Sequence, residues 1–130
     1  MRFFLLLLMT TLFAVEVPEY ILVGILKVET RSFYRENGTI KYVDQRRGSA
    51  GEISPFQITR GAFNQVKKRG ELFWDMETDR VFAEEIAKRY LVWLHTNFSN
   101  GDWHRTIEMY NSGPRGRSPK YLEKVLLASK

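Results

Sequence analysis

The sequence contains no cysteine, and this absence excludes two kinds of small protein. Without thiols the chain cannot be stabilised by a disulfide framework, and it cannot bind a metal ion through thiolates. The only two histidines, His95 and His104, have no partner at metal-ligand spacing. We therefore predict no metal ion and no cofactor, and we expect both histidines at the surface or in interfaces.

A hydrophobic run long enough to span a membrane is also missing. Residues 3–15 form an uncharged stretch of thirteen residues, which is too short for a transmembrane helix. After the basic start Met1-Arg2, a run of this length is typical of a secretory signal peptide. We predict a signal peptide over residues 1–15, with an uncleaved N-terminal anchor as the alternative, and one domain over residues 16–130. The domain would then be secreted, periplasmic or in the cell envelope, and would meet a membrane only through a retained N-terminal segment.

The composition favours one globular domain with an anionic partner. The chain has 130 residues, 44% of them hydrophobic and 14% aromatic, which is enough for a packed core containing Trp74, Trp93 and Trp103. The net charge is +5, and the basic excess lies in residues 31–70 and 100–130. Such a basic excess favours an anionic binding partner: nucleic acid, an anionic envelope polymer or a membrane surface. The same charge pattern also fits two solvated faces of the domain. No nucleic-acid-binding motif is present, and together with the export signal this argues against nucleic acid.

Local signals predict a helix-rich chain of the α+β class, predominantly α. We predict helices over residues 18–29, 59–68, 79–97, 102–110 and 118–128, from their apolar patterns and capping residues. The polar stretch after the first helix contains the turn signal Asn37-Gly38, followed by an alternating segment over residues 39–43. It predicts a small β or loop insertion, and an irregular loop should follow over residues 51–59.

The first predicted helix ends in a carboxylate, Glu29, that should lie in apolar surroundings. Residues 20–28 are almost all apolar, so this helix should be buried on most sides and end at Glu29. Burial and the negative end of the helix dipole both disfavour ionisation, and both should raise the pKa of Glu29. A carboxyl group with a raised pKa can act as a general acid near neutral pH. The alternative is an ordinary helix end whose glutamate turns to solvent.

Three separated segments complete a recognisable pattern: Val28-Glu29-Thr30, Ser54-Pro55-Phe56-Gln57-Ile58 and Met109-Tyr110-Asn111-Ser112-Gly113-Pro114. In this order they resemble the soluble-type lytic transglycosylase domain, a lysozyme-like fold related to goose-type lysozyme. Its pattern is a buried helix ending in Glu-Ser, a loop ending in Gly-Leu-Met-Gln, and Ala-Tyr-Asn-Ala-Gly-Pro. Residues 90–94 are similar to the family's helix before the last motif. The chain departs from the pattern at Thr30, which replaces serine, and at Ser54-Pro55.

The resemblance implies a monomer with this fold that cleaves the β-1,4 bond between N-acetylmuramic acid and N-acetylglucosamine in peptidoglycan glycan strands, leaving 1,6-anhydromuramyl ends. It implies that Glu29 is the catalytic acid and base, and that the substrate's acetamide replaces a protein nucleophile. Gln57 and Asn111 would bind sugar amide and hydroxyl groups, and Phe56 would form an apolar wall. Tyr110 would hydrogen-bond and orient the Glu29 carboxyl group.

Two alternatives remain open at this point. A hydrolytic lysozyme of the inverting kind needs a second carboxylate, and Glu52 and Asp44 in the insertion are the candidates. The non-catalytic interpretation of Glu52 is that it is a surface carboxylate that pairs with Arg46 or Arg47. A non-catalytic peptidoglycan-binding module is the other alternative. The other predicted site residues also have a purely structural interpretation, with Phe56 and Tyr110 as core aromatics and Asn111 as the residue that ends a helix.

Overall fold

A computed structural model describes residues 15–30, 33–37, 39–42 and 47–130 of the protein. Within these residues the chain is mostly helical, which confirms the prediction of a predominantly α protein. The α-helices are α1 (Glu19–Glu29), α2 (Arg60–Val66), α3 (Arg80–Asn97), α4 (Trp103–Ser112) and α5 (Pro119–Ala128), and a 3₁₀ helix spans Phe73–Glu77.

Helix α1 is the element around which the others pack. Five of its eleven residues are buried: Ile21, Leu22, Gly24, Ile25 and Leu26. They join a single core to which the loop after the insertion, α2, the 3₁₀ helix, α3, α4 and α5 all contribute. The most extensive packing partner of α1 is α5, the last helix of the chain. The apolar pattern of residues 20–28 therefore has the structural role expected of a buried helix.

Side-chain caps fix the starts of three helices. Thr59 accepts a hydrogen bond from the Ala62 amide, and Asp79 accepts one from the Phe82 amide. Asp102 accepts from two amides in the first turn of α4. These contacts confirm the predicted starts, because each capping oxygen satisfies a backbone N–H that has no partner inside the helix. Helix α4 ends at Gly113, whose φ of 86° lies in the region that favours glycine.

Two short strands follow α1. Strand β1 (Phe33–Glu36) pairs with β2 (Thr39–Tyr42) in antiparallel register, with Phe33 opposite Tyr42. The assignment of this region as the insertion of a lysozyme-like fold stays a prediction. A single antiparallel bridge between Ile53 and Ile58 then closes the loop that precedes α2.

Two side chains are placed differently from the prediction. His95, expected at the surface or in an interface, is buried: its Nδ1 lies 3.1 Å from the Thr106 hydroxyl, and its ring stacks on Trp103 at 3.6 Å between centroids. These contacts satisfy the polar ring and so allow its burial. Trp74, expected in the core, is 49% exposed.

In the described part of the chain, no helix is both long and apolar enough to cross a membrane.

The close crossing of α1 and α5 yields a stability prediction. A Cβ added at Gly24 would lie 2.5 Å from the Val125 carbonyl oxygen and 2.8 Å from its Cγ1. Because backbone cannot move aside cheaply, we expect Gly24→Ala to lower the free energy of unfolding by about 1–3 kcal/mol, as overpacking does. Urea denaturation followed by circular dichroism measures this loss.

Gly61 provides the matched control for this substitution. It lies in α2, and the nearest atom to an added Cβ is 4.0 Å away. Gly61→Ala should therefore be neutral or stabilising by about 0.5–1 kcal/mol, the usual gain in a helix. Equal effects of the two substitutions would contradict the close packing of α1 against α5.

Candidate active site

The Glu29 carboxyl group lies at the last residue of α1 and is half-buried. Its Oε1 accepts a hydrogen bond of 2.8 Å from the hydroxyl of Tyr121 on α5. Tyr121 is itself only 8% exposed. The structure thus places one oxygen of the carboxylate at the α1–α5 contact, where Tyr121 binds it.

The sequence motifs did not single out Tyr121 as a site residue. A signal was present, because an inward-facing tyrosine must place its hydroxyl near a hydrogen-bonding partner. Burial raises the pKa of Tyr121 well above its usual value, and the Glu29 charge, Tyr110 and the hydrogen bond to Glu29 raise it further. Tyr121 therefore remains a donor to the carboxylate at neutral pH. The raised pKa of Glu29 stays a prediction.

Two hydrogen bonds join the three motif segments. The Thr30 hydroxyl donates to the Pro55 carbonyl at 3.0 Å, which ties the end of α1 to the loop over residues 53–58. The Tyr110 hydroxyl donates to the Phe56 carbonyl at 2.6 Å, which ties α4 to the same loop. Thr30 is 2% exposed, so its hydroxyl needs such a partner. The segments singled out by sequence are therefore in direct contact in the fold.

The loop between Ile53 and Ile58 has a tightly specified backbone. Ser54 and Gln57 both adopt positive φ, at 73° and 49°. The Ser54 carbonyl accepts from the Gln57 amide at 3.0 Å and from its Nε2 at 2.9 Å, and the Ser54 hydroxyl accepts from the Phe56 amide. Left-handed conformations at non-glycine residues cost about 1–3 kcal/mol each, so the surrounding contacts must hold this shape.

Two of the predicted roles change with this geometry. Phe56 was expected to form an apolar wall for a sugar ring, but its side chain is 1% exposed and belongs to the core. It contributes its carbonyl group instead. Tyr110 was expected to hydrogen-bond Glu29, but its single hydroxyl proton goes to that carbonyl, and Tyr121 is the tyrosine that donates to the carboxylate. Burial first, then the charge of Glu29, raises the pKa of Tyr110 well above its usual value.

A cavity of about 260 Å³ brings together three of the predicted site residues. Gln57, Tyr110 and Asn111 line it, and the remaining wall consists of Ile58, Thr59, Ala62, Tyr90, Ser112 and Gly113. Asn111 is exposed at its rim, and its Nδ2 donates to the Ser118 hydroxyl. Amide and hydroxyl groups converging on one cavity are suited to the acetamide and hydroxyl groups of a sugar. Glu29 is not part of this wall.

A larger hollow of about 790 Å³ lies elsewhere and contains none of the predicted site residues. It lies against residues 15–17, the end of α2 and the outer face of α3. Two of its charged lining residues, Glu85 and Arg89, pair with each other at 3.3 Å, and Arg89 also binds Glu71. Size alone does not favour it as a reaction site, because none of the motif residues lines it.

Glu52, one of the two candidates for a second carboxylate in the hydrolase alternative, holds a turn of the chain. Its Oε1 accepts from the Ala50 amide at 2.9 Å, and its Oε2 lies directly against Gly48. The Gln57 Oε1 also faces Gly48, so the turn adjoins the loop of the candidate site. Arg47, one of the expected ion-pair partners, binds Glu77 instead at 3.1 Å. Asp44, the other candidate, and Arg46 lie outside the described residues.

Helix α4 also contains a buried carboxylate that the motifs did not indicate. Glu108 on α4 is 3% exposed and accepts from the Ser118 amide at 2.8 Å and from Arg117 Nε at 3.1 Å. Arg105 lies 3.5 Å from its other oxygen and donates to the Gly116 carbonyl. Glu108 thereby closes the loop over residues 113–118. The loop in turn supplies the hydroxyl that binds Asn111.

No cluster of three metal-ligating side chains occurs among the described residues. Compared with known proteins, the chain matches no protein family model, no curated protein and no solved structure.

The environment of Glu108 predicts a pH dependence of stability. Burial raises the pKa of Glu108, but the Ser118 amide and the charges of Arg117 and Arg105 outweigh it, so the pKa lies below its usual value of 4.5. A carboxyl group whose pKa is lower in the folded chain stabilises the fold above its unfolded pKa and loses that contribution as the pH falls through the folded value. We expect Glu108→Gln to lower the free energy of unfolding at pH 7 by about 1.5–3 kcal/mol.

Urea titrations at pH 7, 5 and 3.5 measure the effect. The difference between wild type and Glu108→Gln should shrink toward the lowest pH, because protonation removes the same charge from the wild type. Glu123→Gln, at an exposed position of α5, is the control and should change little. A difference that stays constant over this range would show that the charge of Glu108 has no part in closing the loop.

Proposed function

We propose that the protein is a peptidoglycan lytic transglycosylase, with a lysozyme-like fold and Glu29 as its catalytic acid and base. One observation carries this proposal: the three motif segments meet, with Glu29 bound by Tyr121 and the loop over residues 53–58 bound by Thr30 and Tyr110. The substrate is the β-1,4 bond between N-acetylmuramic acid and N-acetylglucosamine. A secreted or envelope location fits this substrate, since peptidoglycan lies outside the cytoplasm.

In the first step the protonated Glu29 gives its proton to the glycosidic oxygen as the bond from that oxygen to the muramyl C1 breaks. The carbonyl oxygen of the substrate's own acetamide bonds to C1 and stabilises the positive charge that develops there. Glycosidases assisted by the substrate in this way need no protein nucleophile. One carboxyl group is then sufficient, provided that it carries a proton when substrate binds.

In the second step the muramyl 6-hydroxyl attacks C1 and displaces the acetamide oxygen. Glu29, now a carboxylate, takes the hydroxyl proton and returns to its starting state. The product is a 1,6-anhydromuramyl end, and no water is consumed. Tyr121 supports both steps as a positioning residue, because its hydroxyl can donate to the carboxylate and holds one of its oxygens in place.

The cavity beside the loop supplies the contacts that would hold the sugars. Gln57 and Asn111 present amide groups to it, and Tyr110 shapes its wall while fixing the loop through the Phe56 carbonyl. The Ser54 carbonyl binds the Gln57 Nε2 and so orients that side chain. Preset amide groups of this kind bind a neutral sugar at a low cost in side-chain entropy.

The acid is tested by Glu29→Gln. The amide cannot give and reclaim a proton, so turnover of purified peptidoglycan should fall by at least about 10²–10⁴-fold while binding and the melting temperature change little. Zymography and a soluble dye-release assay measure turnover, and cosedimentation with peptidoglycan measures binding. Glu123→Gln is the control and should keep full activity. If Glu29→Gln retains activity, the assignment is wrong; if wild type binds without turnover, the protein is a binding module.

The products distinguish the transglycosylase from a hydrolase. Mass spectrometry of digested peptidoglycan should show muropeptides with anhydro ends, one water lighter than hydrolysed products. Glu52→Gln should lower activity slightly or not at all, because Glu52 already binds the Ala50 amide and an amide oxygen can accept the same bond. Reducing ends alone, together with loss of activity in Glu52→Gln, would identify an inverting hydrolase with Glu52 as the water-activating base.

A further inference from the structure

A cluster of two arginines and one exposed tryptophan lies beside the candidate site. The guanidinium of Arg60 lies 4.4 Å from the ring centre of Phe73 and 5.5 Å from that of Trp74. The guanidinium of Arg47 lies 4.7 Å from the Trp74 ring. Trp74 is 49% exposed, whereas Phe73 is buried at 4%. We call Arg47, Arg60 and Trp74 the Arg–Trp cluster.

The two arginines differ in how their charges are satisfied. Arg47 pairs with Glu77 at 3.1 Å. Arg60 is exposed, and within the described residues neither a hydrogen bond nor an ion pair engages its guanidinium. The aromatic rings hold it in place without using its N–H groups, so it presents a pre-positioned cation to solvent. A guanidinium of this kind binds a carboxylate through two parallel hydrogen bonds.

The cluster adjoins the proposed sugar site at two points. Arg60 follows Thr59, which lines the cavity that contains Gln57. Arg47 precedes Gly48, which faces the Gln57 Oε1. The Arg–Trp cluster and the cavity are therefore linked through adjacent residues of the chain, 59–60 on one side and 47–48 on the other.

We propose that the Arg–Trp cluster binds a free carboxylate of the peptide stem on muramic acid, which makes the protein selective for peptide-bearing strands. This inference rests on the proposed function for its substrate. The N-acetylated sugars are uncharged where the lactyl group is joined to a peptide, so an anion reaching Arg60 must come from the peptide. Trp74 offers an apolar surface to the peptide chain while Arg60 binds its carboxylate.

The kinetic test compares native peptidoglycan with the same material whose free carboxylates have been amidated. Amidation should raise the KM of the wild type about fivefold, the upper range for an exposed ion pair, and leave kcat unchanged. Arg60→Gln should raise the KM for native material equally and lose the difference between the two substrates. Arg60→Lys should recover part of it, since it keeps the charge but not the paired donors. Arg69→Gln, another exposed cation, is the control and should behave as wild type.

A binding test separates this inference from the proposed function. The tetrapeptide L-Ala-γ-D-Glu-L-Lys-D-Ala is titrated against the Glu29→Gln protein, and tryptophan fluorescence is followed. The signal should saturate, disappear in a Trp74→Phe background and vanish for the fully amidated peptide. An equal response to the amidated peptide, or an unchanged response in Arg60→Gln, overturns the inference whether or not the protein cleaves glycan. Absence of turnover with a normal peptide response overturns the proposed function alone.

Discussion

The burial of α1 is the constraint on which the rest of the structure depends. A helix this rich in apolar residues has to bury most of them, and α5 provides the most extensive cover. Gly24 lets the two backbones approach closely at Val125. The same packing places Tyr121 of α5 against Glu29 at the end of α1. A hydrophobic requirement thus determines where the only carboxylate of this helix end lies and what binds it.

The loop over residues 53–58 links the pair of helices α1 and α5 to helix α4. Its carbonyl groups at Pro55 and Phe56 accept hydrogen bonds from Thr30 on one side and Tyr110 on the other. Because two side chains from distant parts of the chain satisfy adjacent carbonyls, the loop cannot shift without losing both contacts. The same two contacts offset the free-energy cost of the left-handed backbone conformations in the loop. Gln57 is thereby held in a fixed orientation beside the cavity.

The sequence predicts local structure well because local structure depends on local signals. Helix starts at Thr59, Asp79 and Asp102 follow from capping chemistry, and the buried character of α1 follows from its apolar run. The site is predicted only in part. Residue spacing indicates which segments matter, but hydrogen-bond partners depend on tertiary geometry that no short pattern encodes.

Particular residues show where this limit lies. From the sequence alone, either Tyr110 of the third motif or Tyr121 of the last helix could reach Glu29. The packing of α5 determines that Tyr121 is the donor. The aromatic character of Phe56 suggests a sugar platform, but the loop turns its ring into the core. Glu108 resembles any helical glutamate until the loop that follows brings Arg117 and the Ser118 amide to it.

The bond between Tyr121 and Glu29 joins residues that are 92 positions apart in the chain. A contact of such high sequence separation contributes a large loop-closure cost and cannot form before the last helix has been synthesised and docked. Loss of α5 would therefore remove the hydrogen-bond donor to Glu29 and the most extensive packing of α1 together. The order of elements along the chain thus gives the α1–α5 contact, and the hydrogen bond within it, a high loop-closure cost.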